Sequence, residues 1–297
     1  MTPPFIRTVF LLLLMLLPGV SGCEGLSPDK HCLIHDGEER CFLLHIPEDL
    51  PVPAPLVLDL HALGYKTTSQ RDQSGYRDQA DEQGFIVAWP TGKFYSWNSG
   101  PGMAGYGPCC GQAQRNGVDD VGFMRAVVDR IVGSYPVDSR RIYATGLSNG
   151  GAMVQRLALE APDIFAAVVS YSQYLNTEPG PLHLQSGETV SVLNVHGLLD
   201  SQSPYDDTPG TFPGARQNLK TWGTILGCNP VPLQTIGGPD ESFMCETLTG
   251  CPDKIRATLC SLKNGFHRIY RGSAENPDDV DVTRLGVEFM LGSVKGP

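Results

Sequence analysis

The feature that most constrains the fold is the alternation of β-type and helical segments, which is sharpest around residues 141–158. A β-type run at 141–145 leads into Gly146-Leu147-Ser148-Asn149-Gly150-Gly151, and a helical run follows at 152–158. Strands that alternate with helices pack as a mostly parallel sheet covered by helices. The sequence therefore predicts an α/β fold with helices on both faces of a central sheet.

The rest of the chain fits the same architecture. An antiparallel hairpin at 32–41 turns on Asp36-Gly37, because Asp-Gly favours a two-residue turn. A long glycine-rich loop at 91–118 precedes a helix capped by Asp119-Asp120, and loops of this length are usually functional. The other expected elements are strands at 55–61, 85–89, 190–195, 243–247 and 255–259 and a helix at 76–83 closed by Gly84.

Composition limits the number of domains and the kinds of partner. The chain has 297 residues, of which 41% are hydrophobic, and this length suits one catalytic domain at 31–297. Acidic residues outnumber basic ones by 32 to 22, so the formal net charge is −10. A phosphate backbone requires a basic face, so we expect no nucleic-acid partner.

The first 22 residues read as a secretory signal peptide. An apolar run at 9–17 follows Arg7 and ends in Pro18-Gly19 and small residues. Cys23 comes next, as in a bacterial lipobox, and 23–30 would be a short tether. Ordinary cleavage with an unmodified Cys23 is the alternative. A lipid on Cys23 would be the chain's only membrane contact, and it would make this a secreted or cell-envelope bacterial protein.

Cysteine counting favours lipidation of Cys23 and a set of disulfides. Nine cysteines are present, and removing Cys23 leaves eight, an even number that suits an oxidising compartment. The first hairpin places Cys32 opposite Cys41, and a turn near 252–253 places Cys245 opposite Cys260. The remaining cysteines then give the pairs Cys228–Cys251 and, as neighbours in sequence, Cys109–Cys110, for which free thiols or exchange with other partners are the alternative.

Ser148 is the candidate nucleophile. A serine in G-x-S-x-G between a strand and a helix lies on a strained turn that exposes its hydroxyl, so the residues two before and two after must be small. The helix that follows directs its N-terminus at the oxyanion that develops during attack. An ordinary serine in a tight turn is the alternative.

An acid and a histidine should follow the nucleophile in that order. Asp200 lies just after the strand at 190–195, where catalytic groups of open α/β sheets collect. His267 is the only histidine after Asp200, so it is the expected base. Asp206 is the reserve acid, and His196 is expected to shape its own turn.

The oxyanion hole and the substrate contacts are less sharply defined by sequence. The backbone N–H of Asn149 and one from the loop after an early strand, where Leu63 is the better donor, would form the hole. An ordinary turn at 61–64 is the alternative. In the long loop, Trp97 and Tyr106 could stack on an aromatic acyl group or a sugar, and core packing is their alternative role.

These motifs together resemble the secreted polyhydroxybutyrate depolymerase and feruloyl esterase-like branch of the α/β-hydrolases. The resemblance spans about residues 38–292 and includes the blocks 84–90, 96–98, 109–111, 119–123, 144–153 and 196–200, with Phe289 near the end. It implies hydrolysis of carboxylic esters with no cofactor and no metal. The chain departs from the family pattern at Ala62, where glycine is usual, and at 265–270, which lack the Trp-Pro that usually follows the base.

The leading hypothesis is a serine esterase that uses a Ser-His-Asp triad and an acyl-enzyme. Its substrates would be feruloyl or acetyl esters of plant polysaccharides, or short polyhydroxyalkanoate oligomers. A serine peptidase of the same fold is one alternative. A binding protein that keeps the fold without turnover is another.

Overall fold

The computed structural model describes residues 29–178, 190–271 and 280–296 of the chain. Within these ranges the strands are β1 (Lys30–His35), β2 (Glu38–His45), β3 (Ala54–Leu60), β4 (Ile86–Pro90), β5 (Val137–Leu147), β6 (Ala167–Tyr171), β7 (Ser191–Gly197), β8 (Asn229–Gly237), β9 (Phe243–Thr249) and β10 (Ala257–Leu262). The α-helices there are α1 (Thr67–Ser74), α2 (Tyr76–Gln83), α3 (Gln112–Arg115), α4 (Asp120–Val132), α5 (Asn149–Glu160), α6 (Ala215–Leu226) and α7 (Val282–Leu291). The predicted signal segment and Cys23 lie outside the described residues.

All ten strands form one sheet in the order β1-β2-β4-β3-β5-β6-β7-β10-β9-β8. The six central strands, which are β4, β3, β5, β6, β7 and β10 in sheet order, run parallel to one another. The strands at both ends are antiparallel. The predicted α/β architecture, a mostly parallel sheet preceded by an antiparallel hairpin, is therefore confirmed.

Helices cover both faces of the sheet. One apolar core contains side chains of α4, α5 and α6, including Met124, Leu157 and Trp222, and the opposite core contains side chains of α2 and α7, including Tyr76 and Met290. Because both faces are covered, the central strands are buried along almost their whole length, as parallel strands usually are. No helix in the described part of the chain is both long and apolar enough to cross a bilayer.

The disulfides in the structure join the pairs that the sequence predicted. Cys32 faces Cys41 across the first hairpin, and Cys245 faces Cys260 across β9 and β10. The other two bonds join Cys228 to Cys251 and Cys109 to its neighbour Cys110. Three of the four bonds therefore lie at the antiparallel ends of the sheet, and the fourth lies in the long loop.

The two aspartates before α4 have different roles. Asp119 caps the helix, because its side chain accepts the Gly122 N–H at 2.9 Å. Asp120 is fully buried and accepts a hydrogen bond from the Arg40 guanidinium at 2.8 Å and from the Asn98 N–H at 2.7 Å. The expectation that both residues cap the helix is correct for Asp119 alone.

Candidate active site

The predicted triad residues and the predicted oxyanion donor Leu63 all follow parallel strands. Leu63 lies in the loop after β3, Ser148 follows β5, Asp200 lies just beyond β7, and His267 lies in the loop after β10. Since parallel strands point their carboxyl ends to the same edge of the sheet, these residues meet at that edge. Leu63, Ser148 and His267 line one cavity of about 320 Å³.

The backbone at Ser148 has the conformation that a strained strand-to-helix turn requires. Its φ is 55° and its ψ is −121°, and its N–H donates to the Tyr171 carbonyl at 2.9 Å. A Cβ at Gly146 would lie 2.6 Å from backbone atoms of Gly150, and one at Gly150 would lie 2.3 Å from the Leu60 carbonyl oxygen. The glycines on either side of Ser148 are therefore required by close backbone approach.

Asp200 and His267 are hydrogen-bonded to each other. The imidazole Nδ1 lies 2.8 Å from Oδ2 and 3.0 Å from Oδ1 of Asp200. The backbone N–H groups of Gln202 and Ser203 also donate to Asp200 Oδ1. Burial would raise the pKa of Asp200, but the bonds from His267 and Ser203 outweigh it and lower the pKa below its usual value. Asp200 is thus held as a carboxylate that orients the imidazole.

The other two candidates near this pair do not contact His267 Nδ1. Asp206, the reserve acid, is exposed. Asp200 is only 4% exposed and accepts the hydrogen bond from His267 Nδ1. His196 is fully buried, stacks on Tyr174, and donates from Nε2 to the Ser203 carbonyl at 2.7 Å. Burial lowers the pKa of His196. His196 therefore has the expected structural position, beneath the Asp200 turn.

The loop after β3 is held by the neutral imidazole of His61. Its Nδ1 donates to the Ala62 carbonyl at 2.9 Å, and its Nε2 accepts the Gly92 N–H at 3.0 Å. Burial lowers the pKa of His61 to about 4, so the ring stays neutral in ordinary conditions. This bonding orients the segment that carries Leu63, and Leu63 itself lines the cavity.

Trp97 is placed away from the cavity by the structure. Its side chain is fully buried, and its indole N–H donates to the His61 carbonyl at 2.9 Å. The Asn149 side chain accepts the Trp97 N–H at 2.6 Å and donates to the Trp97 carbonyl at 3.1 Å. The stacking role suggested for Trp97 is therefore corrected: an indole enclosed on all sides cannot contact substrate, and it joins the Leu63 loop to the nucleophile turn instead.

Tyr106 also lies outside the cavity lining. Its hydroxyl donates to Asp207 at 3.1 Å, and its backbone forms a bridge with Gly210. These contacts join the long loop to the segment at 210–212, which forms part of the cavity wall. Tyr106 thus supports the cavity wall, and its contact with substrate stays a prediction.

Comparisons with known proteins agree with this architecture. The prolyl oligopeptidase family model matches residues 82–180. Feruloyl esterase B of Piromyces equi is 30% identical over 229 residues, which are 72% of this chain and 39% of that protein. Poly(3-hydroxyalkanoate) depolymerase C of Paucimonas lemoignei is 30% identical over 129 residues, 41% of this chain and 28% of that protein. The chain thus spans less than half the length of these relatives.

A solved structure shows the same fold. Acetyl xylan esterase from Aspergillus awamori superimposes with a TM-score of 0.60 at 18% identity, over 77% of this chain and 89% of that one. The protein is therefore an α/β-hydrolase by fold. Its resemblance to the polyhydroxybutyrate depolymerase and feruloyl esterase-like branch, predicted from its motifs, is confirmed by these relatives.

Proposed function

We propose that the protein is a serine hydrolase of carboxylic esters, with Ser148, His267 and Asp200 as its catalytic triad. The observation that carries the proposal is the Asp200–His267 pair in a cavity that also contains Ser148 on a strained turn. The names of the matched relatives, a feruloyl esterase and a depolymerase, support ester hydrolysis as the reaction. No step of this mechanism requires a metal or cofactor.

The reaction would proceed through an acyl-enzyme. Since Nδ1 of His267 is bonded to Asp200, its Nε2 is the basic nitrogen that takes the Ser148 proton as Oγ attacks the ester carbonyl. The N–H groups of Leu63 and Asn149 would stabilise the oxyanion. His267 then gives the proton to the leaving alcohol. Water, activated by the same imidazole, attacks the acyl-enzyme, releases the acid and restores Ser148.

The substrates proposed are acyl esters of plant polysaccharides, feruloyl or acetyl, or short hydroxyalkanoate oligomers. The names of the relatives reported above, a feruloyl esterase and a poly(3-hydroxyalkanoate) depolymerase, support this choice of substrates. A cavity of about 320 Å³ lies at the lower end of the usual range for small-molecule sites. It would hold one acyl group and leave the rest of a polymer outside.

The proposed setting is an oxidising, extracytoplasmic compartment. Four disulfides in the structure support it, because such bonds persist where thiols are not kept reduced. The signal peptide at 1–22, lipidation of Cys23, the tether at 23–30 and a single catalytic domain at 31–297 remain parts of this proposal. Lipid attachment would tether an acidic domain at a membrane surface.

Peptide hydrolysis is a second candidate. The match of residues 82–180 to the prolyl oligopeptidase family favours it, since a triad of this kind can also cleave amides. Turnover of an aminoacyl p-nitroanilide, with none of ester, would select this candidate.

The decisive experiment replaces the nucleophile. We expect Ser148→Ala to reduce hydrolysis of p-nitrophenyl acetate, methyl ferulate and a hydroxybutyrate trimer by several orders of magnitude, because triad members act as a unit. The matched control is Ser134→Ala, because Ser134 lies just after α4, donates to the Arg130 carbonyl of its last turn, and is outside the cavity lining. Circular dichroism and thermal melting would show that both variants fold.

Two outcomes would contradict the proposal. A Ser148→Ala variant that keeps more than about a tenth of wild-type activity would remove Ser148 as nucleophile. A folded wild-type protein that hydrolyses none of these esters and no nitroanilide would favour a binding protein that retained the fold.

A further inference from the structure

The bond between the adjacent cysteines Cys109 and Cys110 forms part of the wall of the catalytic cavity. Both residues line it, together with Ser148 and His267. The remaining disulfides lie outside this lining. We propose that the Cys109–Cys110 bond, here called the disulfide wall, contacts the acyl group of the substrate and selects planar aromatic acyl groups; this inference rests on the proposed esterase function.

The disulfide wall is fixed by neutral side chains around it. The Ser99 hydroxyl donates to the Cys109 carbonyl at 2.6 Å, and the Cys109 N–H donates to the Asn176 side chain at 3.3 Å. The Gln173 amide nitrogen lies 3.3 Å from Cys109 Sγ. These three contacts fix the position of the loop segment and of its sulfur atoms. A surface that selects between substrates requires such a fixed position.

The disulfide wall also lies close to the predicted oxyanion donors. The Asn149 side chain, whose backbone follows Ser148, donates to the Cys110 carbonyl at 3.3 Å. A Cβ on the next residue, Gly111, would lie 2.8 Å from the Leu63 side chain, so the loop and the Leu63 segment are in direct contact. The wall is therefore anchored next to both residues that would bind the ester carbonyl oxygen.

This placement assigns the wall to the acyl half of the substrate. The leaving alcohol must depart beside His267, because the imidazole gives it a proton. On that side the cavity is lined by Gln202 and Ser203, next to Asp200. The disulfide wall adjoins the oxyanion donors, where the acyl group stays during the acyl-enzyme stage.

Sulfur chemistry indicates which acyl group fits. Divalent sulfur is polarisable and makes favourable contacts with aromatic rings, and it offers no strong hydrogen-bond donor to a polar chain. The two joined cysteines that line the cavity would form an apolar surface suited to a flat ring. A hydroxycinnamoyl group would cover this surface, whereas an acetyl group is too short to do so.

The test compares acyl selectivity in two disulfide variants. In the first, Cys109→Ser is combined with Cys110→Ser; in the matched control, Cys228→Ser is combined with Cys251→Ser, which removes a bond outside the cavity. The substrates are p-nitrophenyl ferulate and p-nitrophenyl acetate, which share one leaving group. We expect the ferulate-to-acetate ratio of kcat/KM to fall about three- to tenfold in the first variant and to stay within twofold in the control.

The outcomes separate this inference from the proposed function. An unchanged or raised ratio in the Cys109/Cys110 variant, including an equal loss on both substrates, would overturn the inference and leave the esterase intact. A wild-type protein without ester turnover would overturn both.

A measurement on the wild-type protein covers the case of a variant that does not fold. Partial reduction by a phosphine, alkylation and peptide mass spectrometry would follow each disulfide separately. We expect saturating ferulate to slow reduction of Cys109–Cys110 several-fold without slowing that of Cys228–Cys251, and acetate to have no such effect. Equal reduction rates with and without ferulate would contradict contact with the acyl group.

Discussion

Asp59 in β3 and Asp200 just beyond β7 are both buried carboxylates, yet their pKa values are shifted in opposite directions. Asp59 in β3 accepts hydrogen bonds from Gln70, Ser74 and Trp89, and all three donors are neutral. Burial dominates there and raises the pKa of Asp59 to about 7. At Asp200 burial also raises the pKa, but the hydrogen bonds from His267 and the Ser203 N–H, together with the charge of His267, outweigh it, and the pKa falls.

Burial raises the pKa at both carboxylates, and only at Asp200 do the hydrogen bonds and the charged partner outweigh it. A histidine that becomes positively charged during the reaction stabilises the ionised form of Asp200. Hydroxyl, amide and indole groups satisfy the oxygens of Asp59 but bring no compensating charge. Asp59 therefore has a structural role: its hydrogen bonds join α1 and β4 to β3. It stands directly before the Leu60–His61 segment that leads into the Leu63 loop.

The largest expected effect comes from removing the charge at Asp200. We expect Asp200→Asn to lower kcat for p-nitrophenyl acetate by about three to four orders of magnitude, because an amide can stabilise the wrong imidazole tautomer and gives no support to an imidazolium. Asp206→Asn, an exposed neighbour, is the matched control and should stay within about twofold of wild type. A loss confined to Asp206→Asn would assign the acid to the reserve residue.

A third buried carboxylate, Asp120, shows that a charged partner alone does not decide the pKa: its partner Arg40 is a permanent cation, yet burial outweighs it and raises the pKa of Asp120. The Arg40 guanidinium bonds to it at 2.8 Å and stacks over the Phe123 ring. Arg40→Leu would leave a buried unpaired carboxylate, and we expect the free energy of unfolding to fall by about 3–5 kcal/mol in urea titration. The double variant with Asp120→Asn should recover part of that loss. A double variant no more stable than Arg40→Leu would attribute the loss to packing alone.

The smallest effect is a change in how stability depends on pH. Since the pKa of Asp59 is about 7 when folded and near 4 when unfolded, the folded state binds more protons between these values. The contribution of Asp59 to the free energy of unfolding is therefore full below about pH 4 and lost as the pH rises to 7. We expect the stability of Asp59→Asn relative to wild type to increase by a few kcal/mol from pH 4.5 to 7.5.

Structure explains why Asn is a fair replacement at Asp59. One oxygen can still accept from Ser74 and Trp89, and the Gln70 amide can turn to accept from the new NH₂ group. Catalysis should stay within about threefold. A stability difference that does not change with pH would show that Asp59 remains ionised in the folded protein throughout this range.

Local patterns were sufficient for the elements that dominate the fold. Asp36-Gly37 predicts the first hairpin with the register found, and the turn near 252–253 places Cys245 opposite Cys260 as in the structure. The glycines around Ser148 predict its turn because sterics leave few alternatives there. Each of these features depends on residues close in sequence.

The features that sequence missed depend on distant polar partners. Helix α1 has no apolar stripe, and its buried residues Gln70 and Ser74 are polar because they bind Asp59. Strand β8 is largely exposed and contains two prolines, which an edge strand tolerates, so its sequence resembles a loop. Burial of Trp97 follows from contacts with His61 and Asn149, which lie 36 and 52 residues away.

The bond between Cys245 and Cys260 has a practical consequence for producing the protein. It ties β9 to β10, and β10 leads directly into the loop that carries His267. Protein produced in a reducing cytosol would lack this bond. It could remain folded while the His267 imidazole moves away from Asp200. Inactivity of such preparations would then reflect the missing disulfide and not a missing catalytic residue. Export of the protein to an oxidising compartment would restore turnover.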